Sequence, residues 1–335
     1  MMRNKSWFIS LLVAILTVGM LAGCGTKAED AERVLRTGNE AAPLPAIEAE
    51  AQEGDQEVFD SYVYSVEKLK AEYDNVIVLD ARTKEEYDKG HLPGAVQAHW
   101  TDWSNLEVKQ GEKGWAQILP NDVLKEKLGQ LGIDGTKPVV IYNDPLSGWG
   151  EEGRQLWTLR VFGLTNTYIL NGGLKKWQEA GGEITTEAPT ITAVVGPEPN
   201  PNPDLFANTD YLAQNLENVK VLDTREDEEY AGVKNYGEKL TGRIPGSQHA
   251  WFKDFYNPDG TLQTPAQIRA RVQALGYDTD DEVVSYCTGG IRSGFATIAL
   301  KIAGFQKARN YNVSFSEWAG TGQKIDNEEY KALKQ

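Results

Sequence analysis

The stretch DEVVSYCTGGIRSGFATIALKIAGF (281–305) carries two signals that rarely sit so close together. An apolar run, VVSY, ends at Cys287. A glycine-rich turn follows, and then a segment apolar on nearly every face that closes at Gly304. Read in order, this is a buried strand, a tight loop and a helix packed on a sheet, the building block of a parallel α/β domain.

Outward from this stretch, the pattern occurs twice. KPVVIYND (137–144) matches DEVVSYCT (281–288) at an offset of 144 residues, with Asn143 standing where the second copy has Cys287. VIVLDARTKEEYDKGHLPGAVQAHW (76–100) matches VKVLDTREDEEYAGVKNYGEKLTGRIPGSQHAW (219–251), which has an insertion after Tyr230. LPNDVLKEKLGQLG (119–132) matches QTPAQIRARVQALG (263–276), and YILNGGLKKWQEAG (168–181) matches NYNVSFSEWAGTG (310–322). A repeat of this length is a domain, not a solenoid unit. The short Val/Ile-rich runs predict buried parallel strands at 76–79, 139–142, 168–170, 219–222, 283–286 and 309–312. Thr264 as N-cap, Pro265 at the first turn and Gly276 beyond the end predict a helix between them. A second helix is expected over 293–303. The expectation is therefore α/β, with two tandem domains, each a small, mostly parallel sheet flanked by helices. The boundaries fall at 59–184 and 207–335, joined by a proline-rich linker at 185–206.

The chain has 335 residues and a formal net charge of −15. Loss of residues 1–23 would remove Arg3 and Lys5 and leave −17. Such a surface argues against non-specific binding to nucleic acid, and an anionic substrate needs local cations to draw it in. The N-terminus, MMRNKSWFISLLVAILTVGMLAGCG, has a short positive region and an apolar core too short to span a bilayer comfortably, the pattern of an export signal at 1–23. Its end, LAGC, resembles the lipobox of bacterial lipoproteins. That resemblance implies lipidation of Cys24, a lipid-anchored tether at 24–58, a membrane partner and a location outside the cytoplasm. Cys24 and Cys287 are the two cysteines of the chain, so lipidation leaves one free thiol in an oxidising place.

A cysteine at a strand's carboxyl end, before a helix N-terminus, sits where α/β sheets gather anions. If Thr288, Gly289, Gly290, Ile291 and Arg292 curl around the sulfur, their amides converge on it, and Arg292 and the helix lower the thiol pKa. His91, His99 and His249 carry no local signature of a cysteine–histidine pair. No Cys/His/Asp spacing suggests a metal, and no cofactor is expected.

The body resembles a tandem-domain rhodanese of the thiosulfate and 3-mercaptopyruvate sulfurtransferase family. The resemblance rests on LDAR (79–82) with GHLPGA (90–95), LDTR (222–225) with GRIPGS (242–247), YCTGGIRS (286–293) and LNGG (170–173) with Trp177. It implies an inactive N-terminal copy and a catalytic C-terminal one. There Cys287 takes sulfur from an anionic donor, preferably thiosulfate, and passes it from a persulfide to cyanide or a thiol. It also implies that Arg292 binds the donor's anionic part and that Asp223 and Arg225 brace the loop, with Arg243 a further cation near the cleft. Glu229 stands where some members place a substrate-binding arginine. Phosphatases on this fold use Cys-x5-Arg; Cys287 to Arg292 is Cys-x4-Arg, a cradle sized for sulfur. A non-catalytic envelope lipoprotein that binds sulfur species is the alternative from another class.

Overall fold

The computed structural model describes residues 42–327. The expected export signal, Cys24 and the first part of the expected tether lie outside them. Two sheets of five parallel strands carry the chain. The first comprises β1 (Val63–Tyr64), β2 (Ile77–Asp80), β3 (Val96–Gln97), β4 (Val139–Tyr142) and β5 (Thr167–Leu170), in the order β1-β5-β4-β2-β3. The second repeats it strand for strand: β6 (Phe206–Ala207), β7 (Lys220–Asp223), β8 (Gln248–His249), β9 (Val283–Tyr286) and β10 (Arg309–Tyr311), ordered β6-β10-β9-β7-β8. Every strand pair is parallel. The six strands expected from apolar runs are present within one or two residues. The four two-residue edge strands are not legible as runs, because two residues carry no periodicity.

β4 and β9 are buried along their whole length, since helices cover both faces of each sheet. The helix Pro265–Gln273 starts as its sequence predicts: Thr264 Oγ1 accepts the amide of Gln267, and the Gln267 side chain returns to the Thr264 amide.

The two domains meet through equivalent helices, Glu151–Phe162 from the first and Ile291–Ile302 from the second. Glycines allow the close crossing. A Cβ on Gly153 would sit 2.4 Å from Phe295 Cβ, and one on Gly294 would sit 3.1 Å from Arg154 Cα. One apolar core therefore runs through both domains, with Trp157, Phe252, Phe295 and Ile298 in the same cluster.

Two connecting segments are held by the folded body. The tether expected at 24–58 is, over its described part, held to the second domain. Leu44 N–H donates to Asp254 (2.8 Å), Pro45 O accepts from Arg271 (2.6 Å), and Asp55, in the helix Asp55–Asp60, pairs with Arg269 (2.8 Å). The linker at 185–206 is likewise pinned to the first domain, by amides of Val194, Asn200 and Asn202 donating to Gly129, Phe162 and Val161 carbonyls. Composition showed few apolar residues in either stretch; it could not show that backbone groups hold them.

Candidate active site at the domain interface

Cys287 leaves β9 and is 1 % exposed. Three residues later Gly290 caps the helix Ile291–Ile302 in the left-handed conformation, φ 85°, which glycine adopts at little cost. This turn aims the Gly290 N–H at Cys287 Sγ, 3.1 Å away. The Ser293 hydroxyl lies 3.6 Å from the same sulfur. The Cys287 amide donates to Ser314 Oγ at 3.0 Å, fixing where the side chain departs.

Burial pushes the Cys287 thiol up. The Arg292 charge, the Ser293 amide and hydroxyl and the Gly289 amide together outweigh it and bring the pKa below the ordinary thiol value of 9.0. The sulfur, its anion favoured by these groups, lines a cavity of about 300 Å³. Thr288, Gly289, Ile291 and Arg292 line that cavity from the second domain, as does Tyr236. Trp100, Gln110, Trp115 and Trp149 close it from the first. A larger groove of about 1020 Å³, running from Thr101 to Phe206, contains neither cysteine nor histidine; the chemistry belongs to the smaller cavity.

Arg292 does not present a free cation. Its guanidinium makes a two-pronged pair with Glu229, at 2.5 and 2.9 Å, and donates to Thr288 Oγ1 at 2.7 Å. Both partners are nearly fully buried. The Thr288 hydroxyl also faces Glu229 (3.0 Å) and Glu238 (2.7 Å). Trp149 and Tyr236 flank the guanidinium, 5.2 and 5.8 Å from ring centre to Cζ. The arginine expected to bind the donor's anion is already matched by a carboxylate.

The supporting residues are placed differently from expectation. Asp223 and Arg225 form a buried pair (2.6 Å); Tyr286 donates to Asp223 and Arg225 donates to Gly242 O (2.8 Å). They brace the turn before β8, and toward the cysteine loop Asp223 is met by Tyr286, the residue before Cys287. The first domain repeats the arrangement, with Asp80–Arg82, Tyr142 donating to Asp80, and Arg82 donating to Gly90 O. A motif equally complete in the copy without a cysteine serves the fold. Arg243 points away from the cavity, pairing with Asp326 (3.4 Å) and stacking on Tyr230 (4.4 Å). The histidines hold backbone or side-chain oxygens elsewhere: His91 contacts Tyr87 O, His99 contacts Thr101 Oγ1, and His249 contacts Arg225 O. No group of side chains suited to a metal occurs among the described residues.

The degenerate copy shows why it cannot do the same chemistry. Asn143 follows β4, and its amide donates to Glu151 (2.6 Å) and Glu152 (3.1 Å). Burial and the neighbouring Glu152 push Glu151 up to about 7. Burial raises Glu152 as well, so the site already disfavours one negative charge beside another and would disfavour a further anion for the same reason. The loop from Asn143 to its helix cap Gly150 spans seven positions against three from Cys287 to Gly290, so it is four residues longer. That extra length carries Trp149 across to wall the active cavity.

Sequence reading missed Arg154, Ser293, Ser314 and the tryptophan walls. Ser293 belongs to the quoted motif and was legible there. Arg154 and Trp149 lie in the cysteine-free copy, where no local pattern marks them.

Comparison with known proteins agrees with this geometry. The rhodanese-like domain model matches residues 65–180 and 208–321. A thiosulfate sulfurtransferase of Pseudomonas aeruginosa is 32% identical over 249 residues, 72% of this chain and 88% of that one. A probable 3-mercaptopyruvate sulfurtransferase of the same organism is 29% identical, over 73% and 89%. The sulfur carrier protein TtuD of Thermus thermophilus is 28% identical, over 69% and 83%. Among solved structures, wild-type EanB superposes with a TM-score of 0.72 at 21% identity, covering 80% of this chain and 69% of that one, a likeness of fold. With two matched domains covering most of its length, the chain belongs to the rhodanese-like domain family, among its tandem-domain sulfurtransferases.

Proposed function

We propose that the protein moves sulfane sulfur from thiosulfate to cyanide or a thiol through a persulfide on Cys287. The observation that carries this reading is a buried thiol, its pKa lowered, with a glycine amide 3.1 Å from its sulfur and an open cavity beside it. The Cys287 thiolate attacks the outer sulfur of thiosulfate; the S–S bond breaks and sulfite leaves with the bonding pair. The persulfide so formed carries one negative charge, which the loop amides hold as they held the thiolate. A nucleophilic acceptor then takes the outer sulfur and returns Cys287 as thiolate. Intact mass after thiosulfate treatment is expected to show one added sulfur, removed by cyanide. Protein that gains no sulfur from thiosulfate, or gains it from 3-mercaptopyruvate alone, defeats the thiosulfate reading.

The buried Glu229 offsets the charge that would otherwise attract a dianion. Glu229→Gln keeps an oxygen for Arg292 while removing the negative charge. The expected result is a rise of roughly tenfold in kcat/KM for thiosulfate, mainly through a lower KM, from about 1.4 kcal/mol of regained attraction. Stability falls, because Arg292 loses its buried counter-ion. An unchanged KM would show that the donor does not sense this pair.

We also propose that Cys24 is lipidated and anchors the protein to a membrane outside the cytoplasm, on the strength of the LAGC motif and the preceding apolar core. Cys24→Ala is expected to abolish labelling by a fatty-acid analogue; persistent labelling would refute the anchor.

A further inference from the structure

The domain without a cysteine places a charged side chain against the active loop. Arg154, in the helix Glu151–Phe162, is 1 % exposed. Its guanidinium donates to Gly290 O (3.0 Å), Ala116 O (2.8 Å) and Ser104 Oγ (3.3 Å), and lies 5.0 Å from the Trp157 ring centre. All three acceptors are neutral. No carboxylate among the described residues pairs with it.

An arginine buried without a counter-ion is costly, since desolvation of a guanidinium amounts to several kcal/mol. Burial indeed pulls Arg154 down to about 9, and the charge that opposes this is that of Cys287. The contact partner matters as much as the charge. Gly290 is the residue whose amide points at Sγ, and Arg154 grips its carbonyl from the other side, with Asn310 Nδ2 at 3.1 Å as a second donor. Gly290 has no room to move: a Cβ there would lie 2.6 Å from Arg154 Nη1.

The other anchor of Arg154 is itself held under strain. Ala116 adopts φ 60°, uncommon for a residue with a Cβ, and is fully buried. In that pose its carbonyl accepts both Arg154 and the second-domain Asn312 (3.0 Å). Its neighbour Trp115 lies against Gly289, where a Cβ would be 2.8 Å from the indole. The first domain therefore shapes the loop at two adjacent residues, Gly289 and Gly290.

We propose that Arg154 is a positioning residue for the Cys287 site, setting the Gly290 peptide and supplying a buried positive charge for the sulfur anion across the domain interface. Resting thiolate and persulfide each carry one negative charge, so the same cation serves both halves of the cycle. The copy without a nucleophile thus completes the site of the copy that has one.

The test is the pH dependence of Cys287 alkylation by iodoacetamide, which needs no sulfur donor. It is read beside sulfur transfer and thermal midpoint in Arg154→Met and Arg154→Lys. In R154M the alkylation midpoint is expected to rise by about one pH unit, with transfer at neutral pH down at least ~10-fold. In R154K the charge stays, so the midpoint holds within about 0.3 of wild type. Transfer still falls several-fold, because one ammonium cannot span three acceptors in a fork. A folded R154M with wild-type pH dependence, or an R154K with wild-type transfer, overturns the proposal. If R154M does not fold, R154K decides: an unmoved midpoint with slower transfer supports positioning, and a midpoint displaced by a full unit refutes it. A wild type that alkylates as a thiolate yet takes no sulfur from thiosulfate defeats the proposed reaction and leaves Arg154 standing.

Discussion

Cys287→Ser is expected to abolish persulfide formation and to lower turnover by at least ~10³-fold, about 4 kcal/mol of transition-state stabilisation. The loss has a specific origin. At Cys287 the Arg292 charge and the Ser293 and Gly289 groups favour the anion over the neutral thiol. A serine hydroxyl in the same cradle stays protonated, because its pKa starts far higher than that of a thiol. The fold has little reason to suffer. The smaller Oγ is isosteric enough for the pocket and accepts the Gly290 amide that now points at Sγ, so the expected stability change is within ~1 kcal/mol. Turnover and thermal unfolding measured on one preparation check both halves. Retained sulfur transfer in a folded C287S protein would refute the covalent route. The pH dependence of the wild type follows from the same cause. A thiol held below its ordinary pKa carries more of its nucleophilic anion at a given pH than an unperturbed one, and loses it as pH falls through the depressed value. Alkylation of native Cys287 near neutrality should therefore exceed that of the unfolded chain, and equal rates would contradict the loop's electrostatics.

Gly290→Ala is expected to damage both stability and activity, the second-largest effect. The residue sits at φ 85°, where a Cβ costs roughly 1–2 kcal/mol by itself. The added methyl would also lie 1.9 Å from Asn312 O and 2.6 Å from Arg154 Nη1. Neither neighbour can retreat freely. Asn312 receives the Ile118 amide at 2.8 Å and donates to Ala116, while Arg154 is packed between the crossing helices. Relief must come from the loop, which carries the amide away from Sγ. We expect destabilisation of roughly 4 kcal/mol and transfer down at least ~100-fold in the fraction that folds. By contrast, Gly276, also left-handed at φ 85°, has open space around a Cβ. Its alanine variant should show the conformational cost alone. If the two variants behave alike, the crowding across the domain interface is not what holds the loop.

The contrast between these glycines marks the boundary between local and long-range information. The two domains, their parallel sheets and the cysteine loop were legible because each rests on short-range pattern. VVIY and VVSY are apolar runs of strand length, Thr264 followed by Pro265 marks a helix start, and Cys287 to Arg292 is a count. The repeat supplied an internal control, since Asn143 marks the copy without a nucleophile. The Asp-x-Arg motif also repeats, and the structure shows it bracing the turn before the outer strand in both copies, so its presence beside the cysteine carried less meaning than its position suggested.

The electrostatics of the site were decided by tertiary structure. Arg292 meets Glu229 from 63 residues away, Gly290 meets Arg154 from 136 residues away, and the tryptophan walls come from the other domain. Spacing along a chain encodes which side chains share a strand face or a helix turn, because backbone geometry fixes those periods. Which charge faces which across an interface depends on the crossing of two helices, and that crossing is set by glycines 153 and 294 packing against residues of the opposite domain. The sequence by itself determined that one cysteine stands at a strand's carboxyl end, in a tight glycine-rich turn before a helix. The tertiary structure decided that its arginine is already paired, and that the silent domain furnishes the cation behind the loop.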